Sequence, residues 1–355
     1  MSTKKVDFII VGQGIAGTTL AHLLEKKGKT FHVFDFYENK SSHIAAGLIN
    51  PIVFKRLNKS WKADDFMPFL NDFYTEIEEK LDVTILYKKE IARLFSSFED
   101  QNNWDVKSTK EGYSKYLTDK QIPNLDKNVV EQKFGHGVVS GSGHLDIKVW
   151  LEAHKNHFIS KQSYTFKEVN KADIELTENG VILHGVEATR LIFAQGFRGI
   201  FNNYFNYLPL KTTKGELVKI KVPALDTENV INKNMFVLPK GNNEYLAGST
   251  YGWNDYSTNT TEEAKTDLFE RISAFIKTDF TLVEQTAGVR PTVLDRRPLI
   301  GIHPEHKQLS IFNGLGTKGV MIAPFYGNQF INHLTEKTPL DEEVDIKRYE
   351  DLNKS

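Results

Sequence analysis

The chain of 355 residues contains no cysteine. That absence excludes disulfides, thiolate metal sites, a catalytic thiol and any prosthetic group attached through cysteine sulfur. Long apolar runs are also missing. The stretch before Gly12 is too short for a signal-peptide core, and nothing approaches the roughly 20 apolar residues of a membrane span. A soluble, cytoplasmic protein is expected. Charge of one sign is not in excess, since 45 Lys and Arg face 46 Asp and Glu. The balance gives no general electrostatic drive toward nucleic acid or an acidic membrane, and leaves only a local basic face at Lys55, Arg56, Lys59 and Lys62. Internal repeats and low-complexity linkers are absent. The 11 histidines are scattered. His154 and His157 stand three apart without a carboxylate in register, so no metal site is expected and a solvated helix face is the reading.

What is present is enough apolar and aromatic residue, 40% and 12%, to build more than one core. At this length two domains, or one domain inserted in another, are expected. Residues 6–11 read as a buried parallel strand. Ile15, Leu20, Leu23 and Leu24 then share one face of a helix that stops near Gly28, and 30–35 form a second strand. Together they make one βαβ unit. A helix over 64–80 carries Phe66, Phe69, Phe73 and Tyr74 as core. From 83 to 135 the pattern is polar and irregular, and a helix starts at Asp146. Apolar and polar residues alternate over 210–290, as in an antiparallel sheet with one wet face, interrupted by a helix over 262–276.

The βαβ unit contains "GQGIAG", with Gly12, Gly14 and Gly17 in G-x-G-x-x-G spacing between strand and helix. Gly12 permits the tight turn, Gly14 lets a pyrophosphate reach the backbone, and Gly17 brings helix and strand together. Free N–H groups around Ile15 and Ala16 and the positive end of the helix dipole complete an anion site. Asp35, at the end of the second strand, is the acid expected to accept from ribose hydroxyls. The unit reads as a dinucleotide site, for NAD or FAD alike.

Two later features need a reason. "GVRPTVLDRRPLIG" sets Arg290 in an apolar stretch, where a cation calls for an anion to meet it. "GLGTKG" repeats the glycine spacing at Gly314, Gly316 and Gly319, with Thr317 and Lys318 inside it. It reads either as a helix start with an exposed lysine, or as a second helix N-terminus aimed at an electron-rich part of a ligand.

In order, "DFIIVGQGIAGTTLAHLL", "SSHIAAGLINP", "KGELVKI", "GVRPTVLDRRPLIG" and "GLGTKGVMIAPFYG" resemble the FAD-dependent D-amino acid oxidase superfamily, especially its glycine oxidase and amine oxidoreductase branch. The resemblance implies an α/β fold, a Rossmann-like FAD-binding domain with an inserted antiparallel-sheet substrate domain. The expected segments are 1–82, 141–210 and 288–355 for FAD binding, and 83–140 and 211–287 for the substrate domain. It implies C–N bond oxidation of an amino acid or secondary amine by hydride transfer to flavin. Arg290 takes the position that grips the substrate carboxylate, as a guanidinium does with two parallel donors. Ser41, Ser42, Ala45, Ala46, Gly47 and Leu48 match the segment beside the flavin ring. Val169 and Ala194, Gln195 and Gly196 match contacts near the adenosine. Gly314, Gly316, Thr317, Lys318 and Gly319 match the second glycine turn.

The chain departs from that pattern in two places. Relatives that attach flavin to histidine carry it directly before an "AAG"-like run, whereas here Ile44 follows His43, so non-covalent FAD is expected. Phe236 stands where D-amino acid oxidases carry a tyrosine, which turns the expectation from simple D-amino acids toward a secondary amine or larger amino acid. Tyr251 and Trp253, in "GSTYGWND", are candidates for the aromatic wall or hydroxyl. Arg296 and Arg297 are expected in surface or interdomain ion pairs. Two further readings stand beside the leading one: a flavin enzyme acting on a modified tRNA base, and a flavoprotein without turnover. The sequence leaves the substrate, the electron acceptor and the oligomeric state open.

Overall fold

A computed structural model of the chain describes residues 3–36, 41–118, 122, 125–253 and 255–354. The first βαβ unit forms as its pattern predicts. Strand Lys4–Val11 pairs in parallel with Phe31–Asp35, and helix Ile15–Lys26 connects them with Leu20, Leu23 and Leu24 buried. Tyr164–Phe166 continues this sheet beyond Phe31–Asp35. On the other side Val186–Phe193 lies parallel to Lys4–Val11. The far edge of Val186–Phe193 is shared: Val181–Leu183 pairs with its first half antiparallel, and Leu309–Asn313 with its last half in parallel. The C-terminal ends of five parallel strands, at Val11, Asp35, Phe166, Phe193 and Asn313, therefore open along one edge. In open α/β sheets that edge is where ligands bind.

A nine-stranded sheet is mainly antiparallel. At one edge is the long pair Leu210–Lys221 and Thr281–Val293, which runs from Leu210 opposite Val293 to Lys221 opposite Thr281 with a one-residue register shift between Lys219 and Ile220. Glu244–Gly248, Phe236–Gly241 and Val230–Asn232 follow outward from Leu210–Lys221. Ile91–Leu94, His136–Val139 and Leu117–Thr118 continue it, and the short strand Gly252–Trp253, paired with Leu210–Lys221, is the ninth. Residues from 83–140 and from 211–287 thus share one sheet, and Thr281–Val293 runs unbroken past residue 288.

The stretch 83–135 is more regular than its composition predicts. It holds strands Leu86–Lys88 and Ile91–Leu94 and a helix, Phe98–Ser108, capped by Ser97, whose Oγ accepts from the Asp100 N–H at 3.1 Å. Only Trp104 of that helix is buried, so it lacks the apolar periodicity by which helices are recognised. The aromatic helix falls at Ala63–Leu81 and buries Phe66, Leu70, Phe73, Tyr74 and Ile77. The Tyr74 hydroxyl donates to the Val320 carbonyl at 2.7 Å, which ties this helix to the last one, Gly319–Glu336. His154 is not on a solvated face. It is 1% exposed in helix Ile147–Ser160, with its Nε2 3.4 Å from His22 Nδ1. His157 instead pairs with Glu25 at 2.9 Å. No group of three or more metal-ligating side chains and no helix long and apolar enough to cross a membrane occurs among the described residues.

Candidate active site

A cavity of about 460 Å3 opens where the C-terminal edge of the parallel sheet meets the antiparallel one. Its volume falls in the range of small-molecule and cofactor sites, roughly 300–1,000 Å3. Gly12, Gly14, Ile15 and Ala16 form one wall. Gly12 has φ +105°, and a Cβ there would lie 2.5 Å from the Ala194 carbonyl oxygen. Gly17 does not face the cavity. Its hydrogen stands in for a Cβ that would come within 1.8 Å of the Gly12 carbonyl oxygen, so its part is close packing of turn against helix. Helix Ile15–Lys26 begins at Gly14 without a side-chain cap. The Ser42 hydroxyl accepts from the Ile15 N–H at 3.2 Å and brings the 41–48 segment to the helix start.

Ser41, Ser42, Ala45, Ala46, Gly47 and Leu48 all line the cavity, and His43 does not. The Ser41 hydroxyl donates to the Val289 carbonyl, joining this segment to the Arg290 strand. Asp35 is 6% exposed; its Oδ1 accepts from the Gln13 N–H at 2.9 Å and its Oδ2 from the Tyr164 hydroxyl at 3.2 Å. Val169, Ala194, Gln195 and Gly196 line the cavity, as do Asp35 and Lys167.

The second glycine turn also reaches the cavity through Gly316, Thr317, Lys318 and Gly319. Gly314 serves the turn itself, with φ +74°, and a Cβ there would come within 2.7 Å of a Val293 methyl. The Gly316 N–H donates to the Pro291 carbonyl at 2.9 Å, which fixes the turn against the Arg290 strand. Lys318 is not an exposed lysine. Its ammonium donates to the Asn50 carbonyl at 2.9 Å and to the Ser60 hydroxyl at 2.6 Å, and burial pushes its pKa down to about 8. Helix Gly319–Glu336 begins there, also without a side-chain cap. Two helix N-termini with their positive poles thus border one cavity.

Arg290 closes the site from strand Thr281–Val293. Its Nη2 donates to Ser249 Oγ at 2.7 Å, and the guanidinium lies 5.0 Å from the centre of the Tyr251 ring. Nη1 is buried with no hydrogen-bond partner, and no described carboxylate pairs with the group. Burial lowers its pKa from the usual value, opposed by Tyr251. Gly215, on the neighbouring strand, makes room for it, because a Cβ there would stand 2.0 Å from Nη2. Tyr251 lines the cavity and is 66% exposed. Trp253 is a correction: it is 67% exposed, pairs with Thr213 at the sheet edge, and does not line the cavity.

Residues 7–331 match the model of the D-amino acid oxidase group described as FAD dependent oxidoreductase. The chain belongs to this FAD dependent oxidoreductase family. Over 340 residues it is 21% identical to glycine oxidase of Bacillus licheniformis, covering 91% of each chain. A 125-residue segment is 28% identical to glycine oxidase of Geobacillus kaustophilus, spanning 34% of this chain and 33% of that one. The crystal structure of the latter superposes with a TM-score of 0.79 at 19% identity and covers 98% of both chains, which establishes the shared fold. The tRNA 5-methylaminomethyl-2-thiouridine biosynthesis bifunctional protein MnmC of Legionella pneumophila is 23% identical over 91% of this chain, which spans about half of that protein.

The FAD dependent oxidoreductase has wall residues that sequence patterns did not point to. Ser249, Asn232, Asn234, Leu217, Asn313 and Ile52 line the cavity from separate elements. Leu217 and Ser249 fall inside "KGELVKI" and "GSTYGWND", yet nothing local marks any of the six as a site residue, and only tertiary packing brings them together. Phe236 is on the wall as well. Half of the basic face is neutralised, since Lys59 pairs with Asp64 and Lys62 with Asp341. Arg297 pairs with Glu343 at 2.8 Å, while its guanidinium packs 4.2 Å from the Trp61 ring centre.

Proposed function

We propose that the protein oxidises the C–N bond of a carboxylate-bearing amine, an amino acid or secondary amine. The observation that carries this reading is Arg290: a buried guanidinium bordering the cavity, with Nη1 unpartnered and no carboxylate paired with it among the described residues. An uncompensated buried cation is costly, and a substrate carboxylate relieves that cost with two charge-assisted hydrogen bonds.

The cavity fits a non-covalent dinucleotide. Gly12 is packed against the Ala194 carbonyl with no room for a side chain, and two helix N-termini whose N-cap residues supply no side-chain cap face the same space. The Gly12–Ala16 turn would hold the pyrophosphate, and Asp35 the ribose. The Gly316–Gly319 turn with Lys318 would face the electron-rich edge of the ring system. When bound, FAD supplies a two-electron acceptor: the α C–H is lost with its electron pair, the amine N–H as a proton, and the resulting C=N bond is hydrolysed by water. The chain's own work is orientation. Ser249 and the Tyr251 ring fix the plane of the Arg290 guanidinium, and the guanidinium fixes the carboxylate and thereby the α-carbon.

Anaerobic addition of an amine and amino acid panel to the flavin-loaded protein is expected to bleach the oxidised flavin absorbance. If no member of the panel bleaches it, the reading fails and a flavoprotein without turnover takes its place. The match to MnmC favours one second reading, in which the amine is carried on a tRNA base. Nucleoside analysis of tRNA incubated with the protein tests it, and unchanged nucleosides dispose of it.

A further inference from the structure

A second buried guanidinium stands on the cavity face of the nine-stranded sheet. Arg93, on strand Ile91–Leu94, is 8% exposed, and its Nη1 has no hydrogen-bond partner. Asp100 is its counter-ion at a distance: Oδ2 lies 3.6 Å from Nη2, beyond hydrogen-bond reach, and accepts instead from the Ser96 N–H at 3.1 Å. Asp100 is also the wetter partner, a third exposed in the first turn of helix Phe98–Ser108. On its other side the guanidinium carbon meets an apolar surface, 5.4 Å from the centre of the Phe54 ring. Arg93 is thus, like Arg290, a buried cation that the chain itself compensates incompletely.

Strand register places this charge next to the cavity wall. Arg93 is the in-register partner of Asn232, so both side chains leave the sheet on one face. Asn232 lines the cavity; Arg93 does not, and stands one strand beyond it. Phe54, against the guanidinium, packs in the same apolar cluster as the wall residues Ala46, Leu48, Ile52 and Phe236. Toward Arg290, Asn232 pairs with Phe236 and Phe236 with Gly248, and Ser249, directly after Gly248, holds the Arg290 guanidinium. Two strand spacings therefore separate that anchor from Asn232, about 9 to 10 Å. A simple amino acid held by its carboxylate ends well short of that, whereas an amine extended through its nitrogen spans it.

Charge selects what the far end carries. Among the described residues that line the cavity Asp35 is the sole carboxylate, and it is engaged at the dinucleotide turn, where it accepts from the Gln13 N–H. The sheet side of the cavity has one buried cation on the wall, a second one strand beyond it, and no acid on the wall between them. At roughly 5 to 10 Å, with an effective dielectric constant of about 20, a single charge changes affinity on the order of tenfold or more. We propose that Asn232, backed by Arg93, forms a second anion subsite. The substrate is then a secondary amine with two carboxylates, one on Arg290 and one at the end of its N-substituent. Asn232 donates the hydrogen bond, and Arg93 supplies the field as a specificity-determining residue that does not touch the reacting atoms. Oxidation of the carboxymethyl arm, with hydride passing to flavin, the N–H leaving as a proton and water hydrolysing the C=N bond, releases glyoxylate and an ω-amino acid. This inference rests on Arg290 as the carboxylate anchor.

The test compares anaerobic flavin reduction of the holoprotein by N-(3-carboxypropyl)glycine, its isosteric amide N-(3-carbamoylpropyl)glycine, and sarcosine. The diacid is expected to react with a second-order rate constant about tenfold above the amide. Arg93→Met should collapse the diacid-to-amide ratio toward unity, and Arg93→Lys, which keeps the charge, should retain most of it. Asp100→Asn removes the acid that offsets Arg93 and keeps an acceptor for Ser96, so it should raise the ratio further; it also keeps the test decisive should Arg93→Met not fold. A merely structural Arg93–Asp100 pair would lower the melting temperature in these variants and leave the ratio where it was. Binding is read separately on the unaltered protein: 4-(carboxymethylthio)butanoate, which has no oxidisable amine, should perturb the flavin spectrum at lower concentration than its butanamide counterpart. Equal or faster reduction by the amide, equal affinities of the two thioethers, or a ratio unchanged in Arg93→Met or in Asp100→Asn overturns the subsite and leaves the Arg290 anchor standing. No reduction by any of the three amines overturns both.

Discussion

Replacing Arg290 with leucine is expected to separate substrate capture from stability. The guanidinium holds one partner, Ser249 Oγ, and keeps Nη1 buried and unbonded. A carboxylate bound there takes two charge-assisted hydrogen bonds, each worth roughly 1.5 to 3 kcal/mol. Losing both costs about 3 to 6 kcal/mol, or on the order of 100-fold to 10,000-fold in kcat/KM. The effect should fall mostly on half-saturation, because the group binds the carboxylate and takes no part in bond breaking. Stability should move the other way or not at all. Removing a buried cation without a counter-ion is often neutral or stabilising, against about 1 kcal/mol for the lost bond to Ser249. Stopped-flow reduction over a range of amine concentrations gives half-saturation and limiting rate, and thermal melting of the holoprotein gives stability. A variant that keeps its flavin and half-saturates within about threefold of the parent, a difference under 1 kcal/mol, refutes the assignment.

Gly215→Ala should imitate that loss without touching the arginine. The new methyl would sit 2.0 Å from Nη2, so the flexible guanidinium swings away, and half-saturation should rise strongly while melting changes little. An unshifted half-saturation would mean that Arg290 is not held where the structure places it. Gly17→Ala should instead cost flavin and fold together, since its Cβ would meet the Gly12 carbonyl oxygen at 1.8 Å and that backbone cannot yield cheaply; retention of flavin through gel filtration would contradict this. The buried histidines predict acid sensitivity. Burial lowers His22 to about 4 and His154 to about 3, so below pH ~6.5 the unfolded chain takes up protons that the native state refuses. Stability present above that pH is lost progressively toward pH ~3, on the order of 2 kcal/mol for each histidine and so about 4 for the pair by pH 5. Urea midpoints at pH 7.5 and 5 measure it, and a His22→Gln, His154→Leu double variant that loses as much as the parent would disprove the cause.

How much was legible depended on whether the signal was local. The unit from Lys4 to Asp35 could be read because strand, glycines, helix and acid lie within one short stretch, each constrained by its neighbours. Arg290 stood out because its apolar surroundings made a cation conspicuous. Helix Phe98–Ser108 was missed because it buries only Trp104, although Ser97 followed by Asp100 was a capping signal in plain view. His154 was misread because spacing tells which helix face a residue occupies, and only packing against His22 tells whether that face is wet. The same limit applies to Lys318 and Trp253, whose burial and exposure reverse what their local sequence suggests.

The sequence by itself determined the dinucleotide turn, its acid, the second glycine turn and the arginine that calls for an anion. Each of these follows from backbone sterics or charge within a few residues. The tertiary structure alone decided that Asn232, Phe236, Gly248 and Leu217 lie in one row, that Gly215 clears space for Arg290, and that Ser249 holds it. These residues come from four successive strands and a turn, Arg290 from a fifth strand some way further along the chain, and only interstrand hydrogen bonding sets their register. A shift of one residue in any of those pairings would turn the side chains to the opposite face and take Asn232 and Phe236 off the cavity wall.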